Sequence, residues 1–244
     1  MTRRTFLAGA AAPALATASP LNWIATNIKG EVLSRNWPQC EDLVSTGSLL
    51  KPFLAISYLA THTQAPVIVC GGACEGCWFA LGHGRQDLSA ALANSCNVYF
   101  LRIATDVNRA ALDVTSLSYG LVPAGRAWDA HRLIGLDEGW PQSPIAVAQA
   151  FAALSRNATD AGTQLILAAM ARCARSGTAK GIGFSCHAKT GTAPCCHTPP
   201  ASGDGYALAI YPVAQPRRVM LTMKHNTTGA SAACGLKSLI AQTG

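Results

Sequence analysis

Apolar positions along the chain follow different rhythms in different stretches. Residues 21–35 alternate loosely, with Trp23, Ile24, Ile28, Val32 and Leu33 split at Lys29-Gly30, which predicts a β-hairpin with a two-residue corner. From Ser48 to Leu59 the spacing is helical, through Leu50, Phe53, Leu54 and Tyr58. Pro52 removes a backbone donor early in that segment, so its first turn should be irregular and the regular helix should follow. Residues 64–86 are rich in Gly and Cys and read as a loop excursion. Asp87 is placed to cap a helix from Leu88 to about Ala93. Asn94-Ser95-Cys96-Asn97 interrupts it, and the helical period resumes from Val98 to Val107. Residues 113–143 read as connections with short helices. Pro144–Leu154 and Gln164–Arg175 are amphipathic helices, the first with its proline near the start. Beyond them the period shortens to two. Strands are expected over Phe184–Thr192, Tyr206–Val213 and Val219–Lys224, with a loop at Pro194–Gly205 and a closing helix over Ala230–Ala241. Strands at both ends and helices between them predict an α+β fold, with one antiparallel sheet flanked by helices in a single domain.

Composition narrows the class. The 244 residues suffice for one domain with a sizeable core, and the 50% apolar, 13% charged composition excludes a disordered chain. The formal net charge is +7, but the basic residues are scattered and adjacent only at Arg3-Arg4 and Arg217-Arg218. This describes a solvated surface and gives no stripe for nucleic acid. Residues 1–18 read as an address. Thr2-Arg3-Arg4-Thr5-Phe6-Leu7 resembles a twin-arginine export signal, and the apolar run Phe6–Ala16 ends at small-residue cleavage sites. That run is shorter than the roughly 20 apolar residues a membrane-spanning helix needs. The expectation is an exported protein in the periplasm or on the outer face of the cytoplasmic membrane, with residues 19–244 as its working domain. Ten cysteines in an exported chain point to disulfides, whose pairing the spacing does not reveal.

Three short patterns carry candidate chemistry. Ser48-Leu49-Leu50-Lys51 sets a hydroxyl and an amine three residues apart, on one helix face. A serine needs a base, and lysine is one only when neutral. Neutrality at pH 7 requires a pKa about 3.4 below the ordinary value of about 10.4, or roughly 4.6 kcal/mol. Burial and a second cation both push in that direction. In Ser95-Cys96-Asn97, Ser95 is suited to relay a proton between Lys51 and a leaving amine, and Asn97 to hold a substrate amide. Lys189-Thr190-Gly191-Thr192 closes a predicted strand. Lys189 offers the second cation and a partner for a carboxylate. Thr190 and Thr192 share a strand face, and Gly191 lets a substrate backbone approach. Each pattern is weak alone, and their joint occurrence in this order is what carries weight.

This arrangement is the one shared by class A β-lactamases and penicillin-binding proteins, and the surrounding sequence resembles the penicillin-binding transpeptidase family. Thr46-Gly47-Ser48-Leu49-Leu50-Lys51-Pro52-Phe53 is similar to that family's nucleophile segment. Cys77-Trp78, Gly82-His83-Gly84, Asp87-Leu88 and Asn94 to Phe100 are similar to the middle of its class B, elongation-type members. Pro144 with Ala148-Gln149-Ala150-Phe151, then Gly177-Thr178-Ala179 and Ala188 to Ala193, resemble its later segments, so the likeness runs from about residue 21 to 240. The resemblance implies a β-lactamase/transpeptidase-like fold and attack by Ser48 on a D-Ala-D-Ala carbonyl of a peptidoglycan stem peptide, with Lys51 as base. It implies proton transfer and positioning by Ser95 and Asn97, a carboxylate held by Lys189 and Thr190, and an oxyanion hole from the Ser48 and Thr192 N–H groups. β-Lactams would be inhibitors, and a membrane-associated cell-wall complex a partner. No large N-terminal pedestal module is apparent, which suits a small accessory transpeptidase or carboxypeptidase.

Other readings stay open. A β-lactam hydrolase needs a deacylating base, and the four glutamates, Glu31, Glu41, Glu75 and Glu138, fall in predicted loops or hairpins. A non-catalytic penicillin-binding or sensor module would keep the same fold. Cys70, Cys74, Cys77 and His83 offer ligands of the type that hold zinc, and some elongation-type relatives carry a metal near this Cys-Trp segment. The irregular spacing and the export signal favour disulfides or free buried cysteines there, with no cofactor expected.

Overall fold

The computed structural model describes residues 21–124, 129–137, 139–194 and 203–243. The expected export signal and the Cys195-Cys196-His197 run lie outside the described residues. Strands β1 (Asn22–Asn27) and β2 (Val32–Arg35) form the expected hairpin, but four residues, Ile28 to Glu31, join them where a two-residue corner was expected. They join β5 (His187–Ala193), β6 (Asp204–Tyr211) and β7 (Arg218–Lys224) in one antiparallel sheet of order β2-β1-β7-β6-β5. Chain end and chain start therefore meet at the β1–β7 pairing, where Ile24 faces Leu221.

The sheet is covered on both faces, and the two faces differ in side-chain size. Tyr206, Leu208, Ile210, Val219 and Leu221 belong to the larger core, with Leu49, Phe53 and Phe151. Phe53 and Phe151 meet edge to face there, with centroids 5.0 Å apart. Those side chains come from α1 (Lys51–Leu59) and α6 (Pro144–Arg156), the latter capped by Ser143. The opposite face presents Ala25, Ala188, Ala207, Ala209 and Met220 beneath Ala232, Ala233 and Leu236. Small residues let α8 (Gly229–Thr243) lie close on this side. The low aromatic content thus has a structural outlet in an alanine-paved interface.

Between the sheet-forming segments lie α2 (Leu88–Asn94), α3 (Asn97–Asp106), α4 (Arg109–Ser118), α5 (Ala130–Leu133) and α7 (Ala161–Ser176). Asp87 caps α2 as expected, by accepting the Ala90 N–H at 2.7 Å. Four features correct the sequence expectations. Helix α4 is ten residues long and begins before the stretch read as connections. Its cap is Asn108, and its exposed Val114 and Leu117 blur the apolar period that would have revealed it. Helix α7 starts at Ala161, capped by Asp160, three residues earlier than expected. Residues 64–86 contain a two-stranded ribbon of β3 (Ile68–Cys70) and β4 (Gly84–Gln86), too short for a visible alternation. Strand β5 starts at His187 and not Phe184, because a 3₁₀ turn over Lys180–Ile182 ends at Gly183 with φ of 72°.

Two glycines seat the segment before α1 against the sheet. Gly47 has φ of 58°, and a β-carbon there would strike the Thr192 backbone. A β-carbon at Gly191 would strike the Thr46 carbonyl. Gly47→Ala should therefore cost about 2–4 kcal/mol, lowering the thermal midpoint by several degrees. Gly84→Ala, also at positive φ but in open space, should cost only about 1 kcal/mol. Equal midpoints for the two variants would show that backbone contact at Gly47 is unimportant.

Candidate active site

Ser48 lies in a 3₁₀ turn over Gly47–Leu50 that leads directly into α1. Leu49 and Leu50 are buried and anchor the turn, while Ser48 lines a groove of about 440 Å³. The irregular first turn expected before the regular helix is present. Lys51 opens α1 and is fully buried. Its Nζ donates to the Ser95 carbonyl at 3.0 Å and to Asn97 Oδ1 at 2.7 Å.

Ser95 occupies the break between α2 and α3 in a left-handed conformation, φ 52°, where a non-glycine residue carries strain. This bend aims its carbonyl at Lys51 and its hydroxyl at Lys189. Lys189 is also fully buried in β5, and its Nζ donates to Ser95 Oγ at 2.8 Å and to the Thr190 carbonyl at 2.7 Å. Ser48, Ser95, Asn97, Thr190, Gly191 and Thr192 all line one groove, so sequence-distant candidates converge.

Burial holds the Lys51 amine well below the ordinary lysine range, and the Lys189 cation adds to the effect. Burial brings Lys189 down to about 8. A neutral amine has two N–H bonds and one lone pair. In that form the Ser95 and Asn97 oxygens would take both N–H bonds of Lys51 and leave the lone pair to accept a proton. The Ser48 hydroxyl has no hydrogen-bond partner among the described residues.

Strand β5 is the outer strand of the sheet, so alternate backbone groups lack a strand partner. The Thr190 carbonyl accepts from Lys189 and so faces away from β6. By the two-residue period, the Thr192 N–H faces the same way, toward the groove. The Thr192 hydroxyl accepts the Gly229 N–H at 3.0 Å. The Thr190 hydroxyl instead meets Thr178 Oγ1 at 2.6 Å, and Thr178 lines the groove too. Thr178 was not among the site residues expected from sequence, although Gly177-Thr178-Ala179 stood out as similar to a family segment.

The thiol cluster differs from expectation. Donor atoms of Cys70, Cys77, His83 and Cys96 lie within 4.8 Å of one another, whereas Cys74 is exposed and apart from them. Cys96 replaces Cys74 because the α2–α3 break, 19 residues after Cys77, folds back beneath the β3–β4 ribbon. The eight described cysteines are free thiols. His83 Nδ1 is 3.7 Å from Cys70 Sγ and 3.4 Å from Cys77 Sγ. Tetrahedral zinc with bonds of 2.0–2.3 Å separates its ligands by about 3.5–3.8 Å, so this donor set fits the ion. Burial pushes the Cys96 thiol up to about 12, a cost a dication would reverse. The cluster adjoins the groove. Cys96 separates Ser95 from Asn97, Asn97 Nδ2 donates to the Gly76 carbonyl at 3.3 Å, and Trp78 Nε1 donates to the Ser95 carbonyl at 3.2 Å.

No protein-family model matches the chain, and no curated protein sequence matches it. Solved structures do. PBP2 of Pseudomonas aeruginosa in complex with WCK 5153 is similar at a TM-score of 0.76 and 15% identity, covering 92% of this chain and 73% of that one. The transpeptidase domain of penicillin-binding protein 3 from Burkholderia pseudomallei gives 0.72 and 17%, covering 93% and 88%. PBP2 of Helicobacter pylori, in complex with MreC, gives 0.74 and 13%, covering 93% of this chain and 61% of that one. The chain has the α+β fold of class B penicillin-binding transpeptidase domains.

The lysine pair makes a direct prediction. In the NMR of protein carrying ¹³C-labelled lysine, Lys189 should titrate near 8 and Lys51 below its ordinary range. Lys189→Met removes a neighbouring positive charge, so the Lys51 pKa should rise, while burial keeps it short of ordinary. A Lys51 titration unmoved by that substitution would refute the coupling.

Proposed function

We propose that the protein is a serine acyltransferase acting on D-Ala-D-Ala-terminated peptidoglycan stem peptides, as a D,D-transpeptidase or D,D-carboxypeptidase that penicillins acylate. The observation that carries this reading is the buried Lys51 amine, held by the Ser95 carbonyl and Asn97 Oδ1, three residues from Ser48 in the groove that Ser95, Asn97 and Thr190 also line.

Ser48 Oγ would attack the carbonyl of the penultimate D-Ala as Lys51 takes its proton. The carbonyl oxygen would become an oxyanion facing the Ser48 and Thr192 N–H groups, where one such donor is typically worth about 2.7–4 kcal/mol. On collapse the C–N bond breaks and the leaving D-Ala amine gains a proton from Lys51 by way of Ser95. Lys189, Thr190 and Thr178 would hold the terminal carboxylate. An amine or water then attacks the acyl carbon and gives its proton to Lys51, and as the ester C–O bond breaks Lys51 passes that proton to the departing Ser48 Oγ. Glu31, Glu41 and Glu75 are exposed and not among the groove-lining residues, so no observation favours a glutamate-driven lactamase. The twin-arginine-like leader supports export, and the MreC complex of the Helicobacter protein supports a place beside a cell-wall assembly.

Zinc held by Cys70, Cys77, His83 and Cys96 would be structural. It would tie the β3–β4 ribbon to the turn that carries Ser95 and Asn97 and take no part in acyl transfer. Elemental analysis of the purified protein should find about one zinc per chain, and Cys96→Ser should lose it, whereas Cys74→Ser should keep it. Retention of zinc by Cys96→Ser would exclude this ligand set.

Fluorescent penicillin should label the protein covalently, and Ser48→Ala should abolish the label. A label persisting in that variant would place the nucleophile elsewhere. Acylation should speed up as pH rises through the Lys51 titration, because the neutral amine is the base. For carboxylate-bearing substrates kcat/KM should fall again above about 8, as Lys189 loses its charge. A profile flat from pH 6 to 10 would contradict both assignments.

A further inference from the structure

Charge is unevenly placed along the chain. Residues 161–244 hold eight lysines and arginines and one acid, Asp204, whereas residues 1–160 hold eleven of each sign. The whole formal charge of +7 thus belongs to the last third of the sequence. Of the eight, Lys189 is buried in the candidate site. Several of the others, scattered in sequence, are gathered by the fold. Arg172 and Arg175 lie three residues apart near the end of α7, so they neighbour each other on the helix surface. The chain then turns through Lys180–Ile182 to Gly183, where a β-carbon would lie 3.8 Å from Nζ of Lys237 in α8.

These side chains surround a recess. Arg175, Lys180, Gly183 and Ser185 line a hollow of about 380 Å³, with Ala174 and Phe184 as apolar wall, and no acid is among its lining residues. The acids of the adjoining elements are far off. Asp204 starts β6 seven residues, about 23 Å, before Tyr211 at its other end, whose ring meets Phe184. Asp204 is also engaged by His225. Asp160 caps the opposite end of α7, about 22 Å from Arg175. Arg172, Arg175, Lys180 and Lys237 have no ion-pair partner among the described residues. Cations held together without counter-charge attract a polyvalent anion. An arginine fork, two ammonium groups and the Ser185 hydroxyl all donate hydrogen bonds, which suits phosphate oxygens.

Two further observations narrow the partner. Among the described residues, none of the exposed large apolar side chains comes from residues 171–243, so this face has no wedge to enter a bilayer. Its cations are spread over α7, the 3₁₀ turn and α8, which fits repeated phosphates better than a single one. Lys180 also lines a neighbouring recess that Thr178 shares, and Thr178 lines the reactive groove. The basic face therefore begins beside the groove. We propose that this face is a docking site for a linear phosphate polymer, held alongside the groove. The claim concerns binding and stands apart from the acyl-transfer reading.

Long-chain inorganic polyphosphate is the probe, with binding followed by calorimetry. The logarithm of the affinity should fall with that of the salt concentration, with a slope of roughly −2 to −3 for three or four phosphates neutralised. Arg175→Gln, Lys180→Gln and Lys237→Gln together should weaken binding at least about tenfold at about 50 mM salt. Lys29→Gln, Arg85→Gln and Arg102→Gln remove the same charge elsewhere and should weaken it less than about threefold. All six side chains are exposed, so both triple variants should keep the thermal midpoint within a few degrees. A measurement on the unsubstituted chain guards against misfolding: with ¹³C-labelled lysine, polyphosphate should move the Lys180 and Lys237 signals and leave that of Lys29. Absence of binding, equal loss in the two triple variants, or lysine signals that move together would each overturn the site. Polyglutamate bound as tightly as polyphosphate would overturn the preference for phosphate. Binding to phosphatidylglycerol vesicles without binding to the soluble polymer would assign the face to a membrane instead, and so overturn the proposal.

Discussion

Two fully buried lysines, Lys51 and Lys189, converge on one serine. An unpaired buried ammonium costs several kcal/mol, and two held close together cost more. Burial lowers the pKa of both amines, Lys189 to about 8, and the neighbouring Lys189 charge lowers Lys51 further. The base proposed for Ser48 would thus result from burial and repulsion, not from any special property of the lysine. Ser95 makes the arrangement possible by presenting a carbonyl to one amine and a hydroxyl to the other, at the cost of a left-handed backbone.

Holding three distant segments this close demands a rigid frame. The antiparallel sheet provides one side, with Lys189 and Thr190 on its outer strand. The turn bearing Ser48 is pressed onto that strand through Gly47 and Gly191, where no side chain could intervene. The α2–α3 break, which carries Ser95 and Asn97, is fixed from below by Trp78, Gly76 and the thiol cluster around Cys96. The cluster and the groove share a single tripeptide, Ser95-Cys96-Asn97, which places the thiols directly beside the candidate site.

Beside the groove lies a larger cavity of about 820 Å³ with a different chemistry. The groove is lined by Ser48, Ser95, Asn97 and Thr190 to Thr192, and the cavity by Trp37, Tyr206, Asp42, Asp137 and Asp204. The cavity is therefore locally anionic on a chain of net charge +7.

Much of this was legible in the sequence, where local rules apply. The spacing of Ser48 and Lys51, the Asp87 cap, the break at Ser95 and the two-residue period of the closing strands depend on neighbours in the chain. They led directly to the α+β sheet and to the candidate nucleophile, base and second cation. Short or exposed elements escaped. Helix α4 turns Val114 and Leu117 to solvent, and β3 and β4 have three residues each, too few to show a period. Contacts across the fold could not be read at all. Cys96 joins Cys70, Cys77 and His83 in place of Cys74, Thr178 reaches Thr190, and Asp42, Asp137 and Asp204 gather around one cavity. Sequence spacing describes what lies one turn or one strand residue away. Which distant groups share a buried volume, and so how far burial drives each lysine from its ordinary pKa, is settled only when packing has excluded water from between them.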